Sequence, residues 1–162
     1  MGIHIRDMEK RDIKAVQNVA RESWKTTYTG IIPIEIQETF LESAYSDNMM
    51  HKRLEVSSLY VAEEKEKIIG FANFSTVKQE GDAELSAIYL LSEYQAKGIG
   101  TALLNAGIKK LNGAQSLFVD VEKENRIGVN FYQAKGFQTS SEFDDILDGL
   151  ITRMVRMVLH IQ

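Results

Sequence analysis

Apolar and polar residues change rhythm several times along the chain, and each change marks an element. "IHIR" (residues 3–6) alternates, as a short half-buried strand does. Ile13, Val16, Val19, Ala20 and Trp24 then recur at helical spacing, and "TGIIP" ends that helix. Pro33, the single proline, suits the first turn of a second helix carrying Ile36, Phe40, Leu41 and Ala44 on one side. Ser46 and Asp47 are placed to cap a further short helix that runs to about Leu54. "SSLYVAEE" and "KIIGFANFSTV" read as a hairpin with a charged turn at residues 65–67, and residues 84–91 form a third, apolar strand. Ile99, Leu103, Leu104, Ile108 and Leu111 make one face of a helix that "NGA" stops. "SLFVDV" is a strand and "NRIGVNFYQAK" a helix, with Gly136 at the left-handed position beyond its end. "FQTSSEF" and "LITRMVRMVLHI" close the chain as two strands, with a polar turn at residues 144–149.

The resulting order, β-α-α-β-β-β-α-β-α-β-β, predicts an α/β protein of α+β type, a mixed sheet with helices on both faces. Strands and helices do not alternate strictly enough for a doubly wound parallel sheet. No repeat, low-complexity tract or linker divides the chain, so residues 1–162 are expected to form one domain. Composition narrows the chemistry. There is no cysteine, which excludes cysteine-based zinc sites and thiol nucleophiles. His4, His51 and His160 are far apart, so no metal site is expected. A net charge of -4 disfavours broad nucleic-acid binding and suits cationic substrates. No apolar run approaches the roughly 20 residues of a membrane span, and no signal-peptide core opens the chain; a cytoplasmic protein is the expectation.

The chemistry concentrates in "YQAKGIGTALL" (residues 94–104). Gly98 and Gly100 stand at the mouth of a helix, whose first N–H groups are unpaired and carry partial positive charge. Glycine lets a phosphate approach that backbone, and Gln95 and Lys97 are placed to add a donor and a charge. A nucleotide-binding P-loop is excluded, because Lys97 precedes the glycines rather than following them. A dinucleotide fingerprint fits poorly: Asp120 lies at the right distance, but Leu103 occupies the third glycine position and "SEYQAK" separates the loop from its strand.

"IYLLSEYQAKGIGTALL" resembles the acetyl-CoA-binding motif of GNAT-type N-acetyltransferases, Q/R-x-x-G-x-G/A after a strand, with Gln95, Gly98 and Gly100 at its fixed positions. Ala96 and Ser92 depart from the glycine and proline frequent there. "ENRIGVNFYQAKGF" is similar to the family's second motif through Asn125, Tyr132, Gly136 and Phe137. The resemblance implies the GNAT acyl-CoA N-acyltransferase fold, with its fourth and fifth strands splayed apart. It implies acetyl-CoA as co-substrate, its diphosphate on the amides of Lys97, Gly98, Ile99, Gly100 and Thr101. Its pantetheine arm would lie along Ile88, Tyr89 and Leu90 and be bonded by Asn125.

The implied reaction is attack of an amine on a thioester. An alkylamine must lose a proton, which near pH 7 costs about 4.6 kcal/mol. Glu84, where the family often places a carboxylate, is expected to receive it. Tyr132 matches the tyrosine that protonates the departing thiolate. Trp24 and Tyr28 fall where the family builds its acceptor wall. "FLESAY" (residues 40–45) together with the glycine motif is similar to the bacterial polyamine (spermidine/spermine) N-acetyltransferase branch, and the acid-rich "EFDDILD" suits a polycation if it faces the cleft. The competing readings are a catalytically silent acyl-CoA sensor, an acetyltransferase acting on protein N-termini or lysines, and a nucleotide-binding protein. The expected partners are a small-molecule amine, no nucleic acid, no membrane, and a homodimer if "MVRMVLHI" pairs between chains.

Overall fold

β1 (His4–Asp7) opens the chain in a computed structural model that describes residues 2–161. Three helices follow, α1 (Ile13–Tyr28), α2 (Ile34–Ala44) and α3 (Asp47–Val56). A meander of β2 (Ser58–Glu64), β3 (Lys67–Phe74) and β4 (Asp82–Leu90) comes next. Then α4 (Ile99–Lys109) leads to β5 (Ser116–Glu122), and α5 (Arg126–Ala134) to the hairpin of β6 (Gln138–Leu147) and β7 (Leu150–His160). One sheet of order β1-β2-β3-β4-β5-β7-β6 holds all seven strands, and only β4 and β5 run parallel. The expected mixed sheet is present. The helix marked by its cap is present too, Ser46 Oγ accepting the Met49 N–H at 3.2 Å, so three helices rather than two separate β1 from β2.

Phe71 and Phe74 leave β3 on opposite faces, three residues apart, and each face has its own helices. On one, Phe71 meets the rings of Tyr45 and Tyr89 beneath α1, whose Val16, Val19 and Ala20 are fully buried. On the other, Phe74 lies against α4 where a Cβ on Gly107 would stand, so the helix and the sheet meet at a glycine. Gly107→Ala is therefore expected to lower stability by about 1–3 kcal/mol, because a fully buried ring must move. Urea unfolding with an unchanged midpoint would show that the ring has room to give.

One irregularity positions the site. β4 places Leu85 opposite Phe74 but Ala87 opposite Asn73, so Ser86 is an extra residue, a β-bulge. Past it the side chains exchange faces. Glu84 therefore looks toward the α1 side, as do Phe118, Asp120 and Glu122 of the neighbouring β5.

Two expectations are corrected. The turn over residues 144–149 is shorter: Asp148 (φ 49°) and Gly149 (φ 83°) make a two-residue hairpin turn, and Asp144 through Leu147 pair with β7. Their charges resemble a loop, but Arg153 reaches Asp144 at 3.0 Å, and Arg153 and Lys123 reach Glu142 at 3.3 and 3.1 Å, all on one sheet face. Pairing of "MVRMVLHI" between chains is excluded as well. β7 is flanked by β5 and β6, so both its edges are filled, and the open edges belong to β1 and β6.

Candidate active site

β4 and β5 pair only at Asp82↔Ser116, Ala83↔Leu117 and Glu84↔Phe118 and then diverge. Their backbones past that point face a gap instead of each other. A cavity of about 560 Å³ opens in the wedge. Its walls are β4 from Leu85 onward, the glycine loop, residues 119–121 of β5, the start of α5 and the end of α1.

The two glycines of the loop meet different needs. Gly98 is the N-cap of α4 with φ 82°, left-handed, where an added Cβ has open space; the backbone conformation, not crowding, requires glycine. Gly100 is helical, and a Cβ there would sit 3.2 Å from the Phe131 ring of α5, so glycine sets how closely the two helices approach. The Ala102 N–H is the first to be bonded, to Gly98 O at 3.0 Å, and the amides of residues 98–101 make no backbone hydrogen bond. This is a ready anion cradle at a helix N-terminus.

Asn125 caps α5, its Oδ1 accepting the Gly128 N–H at 3.0 Å, which leaves its amide NH₂ for other partners. The Tyr28 hydroxyl lies beside that amide. Burial pushes Tyr28 up to about 12; the Asn125 amide opposes this and the Glu122 charge adds to it. Tyr132 is 7% exposed, edge-on to Phe131 and Phe137 at 5.3 Å each. Burial raises its hydroxyl well above the ordinary phenol range, so it holds its proton throughout the neutral region.

Most residues singled out from the sequence meet here. Ile88, Tyr89 and Leu90 line the cavity from β4, and Gln95, Gly98, Gly100 and Thr101 from the loop. Tyr28, Asn125 and Tyr132 line it from the helices. Four do not. Lys97 turns outward, its ammonium 5.5 Å above the Tyr94 ring, whose hydroxyl donates to Glu64 at 2.9 Å. Ile99 is 4% exposed and buries its side chain in the core, leaving only its amide to the cradle. Trp24 stacks on Phe40 and tilts against Tyr28, both at 4.7 Å, behind the cavity wall. Glu84 is exposed at the closed end of the wedge, outside the cavity lining.

The structure adds residues that sequence reasoning missed. Ser23 and Thr27, one turn apart on α1, line the cavity, and a polar pair at that spacing on the helix's apolar face was their signal. Phe131 supports the glycine loop. Glu122, the last residue of β5, is buried, and burial raises its carboxyl. Among the described residues, no group of acidic or histidine side chains is placed to hold a metal, and no helix is long and apolar enough to cross a membrane.

Residues 17–137 match the model of the Acetyltransferase (GNAT) family. The chain is 39% identical over 138 residues to the uncharacterized N-acetyltransferase YuaI of Bacillus subtilis, covering 82% of this chain and 78% of that protein. It is 34% identical over 146 residues to the spermidine N(1)-acetyltransferase of Thermoplasma acidophilum, covering 85% and 89%. The crystal structure of the PaiA N-acetyltransferase from Thermoplasma acidophilum, in complex with coenzyme A, matches with a TM-score of 0.85 and 28% identity over 99% of this chain and 100% of that one. The chain belongs to the GNAT family of acetyltransferases. It is an acetyl-CoA-dependent N-acetyltransferase, and the wedge has the cradle and the backbone gap that such a co-substrate needs.

Proposed function

We propose that the protein acetylates a primary amine of a small cationic acceptor of the polyamine type, by direct attack in a ternary complex. The observation that carries this reading is the single cavity between β4 and β5, which joins the amide cradle to Tyr132 and Tyr28. The diphosphate of acetyl-CoA sits on the amides of residues 98–101, with Gln95 beside it. The pantetheine amides pair with β4 around residues 88–90, and the Asn125 amide bonds the arm. Tyr132 then lies by the sulfur and protonates the thiolate as it leaves.

Two observations favour a polycation. A relative 34% identical over most of its length bears the name spermidine N(1)-acetyltransferase. The register of β6 also divides its acids: Glu142 and Asp144 lie on the face with Arg153, whereas Asp145 shares the α1-side face with Asp120 and Glu122 and forms no ion pair among the described residues. Of these, Asp145 is the exposed and unpaired carboxylate, placed to suit one ammonium of an extended polycation. Thiol release from acetyl-CoA against an amine panel tests the reading. Spermidine and spermine should give kcat/KM at least roughly tenfold above lysine or an N-terminal peptide, a difference of about 1.4 kcal/mol in transition-state binding. A preference for the peptide would reject the polyamine.

A further inference from the structure

The amide cradle lacks the cation that the sequence assigned to it. Lys97 turns outward over the Tyr94 ring, outside the cavity lining. A helix N-terminus alone supplies only about half a unit of positive charge. Each phosphate of a diphosphate carries a full negative charge, so a second positive group is called for, and α5 brings one. Lys135 lines the same cavity as Gly98, Gly100 and Thr101. It is half-buried and stands at the C-cap of α5, four residues after Phe131. Residues four apart share a helix face, and helical side chains lean toward the N-terminus. The Lys135 stem therefore lies back along Phe131, and its ammonium is 5.8 Å from the centre of that ring. The same ring abuts the glycine loop, since a Cβ at Gly100 would stand 3.2 Å from it. Phe131 thus joins the lysine to the first turn of α4. No carboxylate claims the ammonium: Lys135 makes no ion pair among the described residues. Arg126 also lines the cavity, but it opens α5, roughly 13 Å along the helix from Lys135.

We propose that Lys135 is the cation of the cradle and binds the diphosphate of the co-substrate. This rests on the reading of residues 98–101 as the diphosphate site. The Lys135 ammonium donates to a diphosphate oxygen that the amides leave free, a charge-assisted hydrogen bond. The Phe131 ring attracts the ammonium through its π face and so presets its position before the ligand arrives. The whole pantetheine arm separates the diphosphate from the thioester. The contact is therefore made equally in the ground state and the transition state, and its loss should fall on KM for acetyl-CoA and not on kcat.

Calorimetric titration of Lys135→Ala with coenzyme A, 3′-dephospho-coenzyme A and pantetheine tests the assignment. The two ligands that carry the diphosphate should each bind about tenfold more weakly than to wild type, and pantetheine should bind as it does to wild type. Lys135→Arg should restore affinity to within roughly threefold. Lys109→Ala removes the same charge from the end of α4, outside the wedge, and should leave all three affinities unchanged. A loss confined to coenzyme A would move Lys135 to the 3′-phosphate and overturn the assignment. A loss shared by pantetheine would do so too, because it would mark Lys135 as a support for Phe131 and α5. So would a folded Lys135→Ala protein with wild-type affinity for coenzyme A. If the wild-type protein binds pantetheine as tightly as coenzyme A, the diphosphate reading of residues 98–101 falls first and takes this assignment with it.

Discussion

Calorimetric titration of the Gly98→Val and Gly100→Val proteins with coenzyme A is expected to show affinity at least 100-fold below wild type. The magnitude follows from the contacts at stake. Hydrogen bonds to charged groups contribute about 1.5–3 kcal/mol each, and 100-fold is about 2.7 kcal/mol, so misplacing one or two diphosphate contacts suffices. The two variants reach that loss by different routes. At Gly98 a β-branched residue is driven out of the left-handed region, and the cap that aims the first amides of α4 must re-form. At Gly100 the φ value is helical and undemanding, but valine pushes Phe131, and with it α5, away from the loop. Backbone strain alone must be separated from damage to the cradle. Gly113→Val is the control: that residue also has a left-handed φ of 81° with open space at its Cβ, but lies in the loop after α4, outside the cavity lining. It should lose stability and keep its coenzyme affinity. Retained affinity in folded Gly98→Val and Gly100→Val proteins would remove the diphosphate from residues 98–101.

What the sequence revealed, and what it hid, follows the range of the forces involved. Local signals were legible. The Ser46 and Asn125 caps, the glycines before α4, and the alternation of β2 and β3 each act within a few residues. The β6–β7 hairpin was half legible. Asp144 and Asp145 imitate a loop, because the partner that neutralises Asp144, Arg153, arrives from the neighbouring strand. The tight Asp148-Gly149 turn was the better signal. The wedge itself comes from the resemblance to a family and not from any spacing. Strand divergence depends on which strands pair and for how long, and neither β4 nor β5 carries that locally. The one-residue bulge at Ser86 is also invisible in the sequence, yet it decides the side of the sheet that Glu84 faces. Trp24 and Lys97 show the same limit from the side-chain end. The first has a stacking partner in Phe40 and the second in Tyr94, and each is drawn out of the cavity by it.

Tyr132→Phe is expected to lower kcat roughly 10- to 1000-fold, within or just below the usual contribution of a general acid, without abolishing turnover. The departing thiolate, with an ordinary pKa near 8.5, is a weaker base than a phenolate, so protonation by tyrosine is uphill by about 2 kcal/mol at reference values. Burial raises the Tyr132 hydroxyl further, which taken alone argues against it as a donor. The same apolar surroundings act on the thiolate, however. A buried thiolate is destabilised by the loss of water just as a buried phenolate is, so both move up together and the gap between them changes less than either. The raised hydroxyl has a further consequence: Tyr132 stays protonated well above neutral pH, so its ionisation cannot supply a basic limb to the pH–rate profile in the working range. Phenylalanine keeps the edge-on contacts with Phe131 and Phe137, so the fold and the coenzyme affinity should be retained and the loss should fall on kcat. Residual turnover should depend on the thiol as leaving group, because an unassisted thiolate departs more slowly as its basicity rises. A folded Tyr132→Phe protein with wild-type kcat would leave the buried tyrosine as a packing residue and hand protonation of the thiolate to solvent.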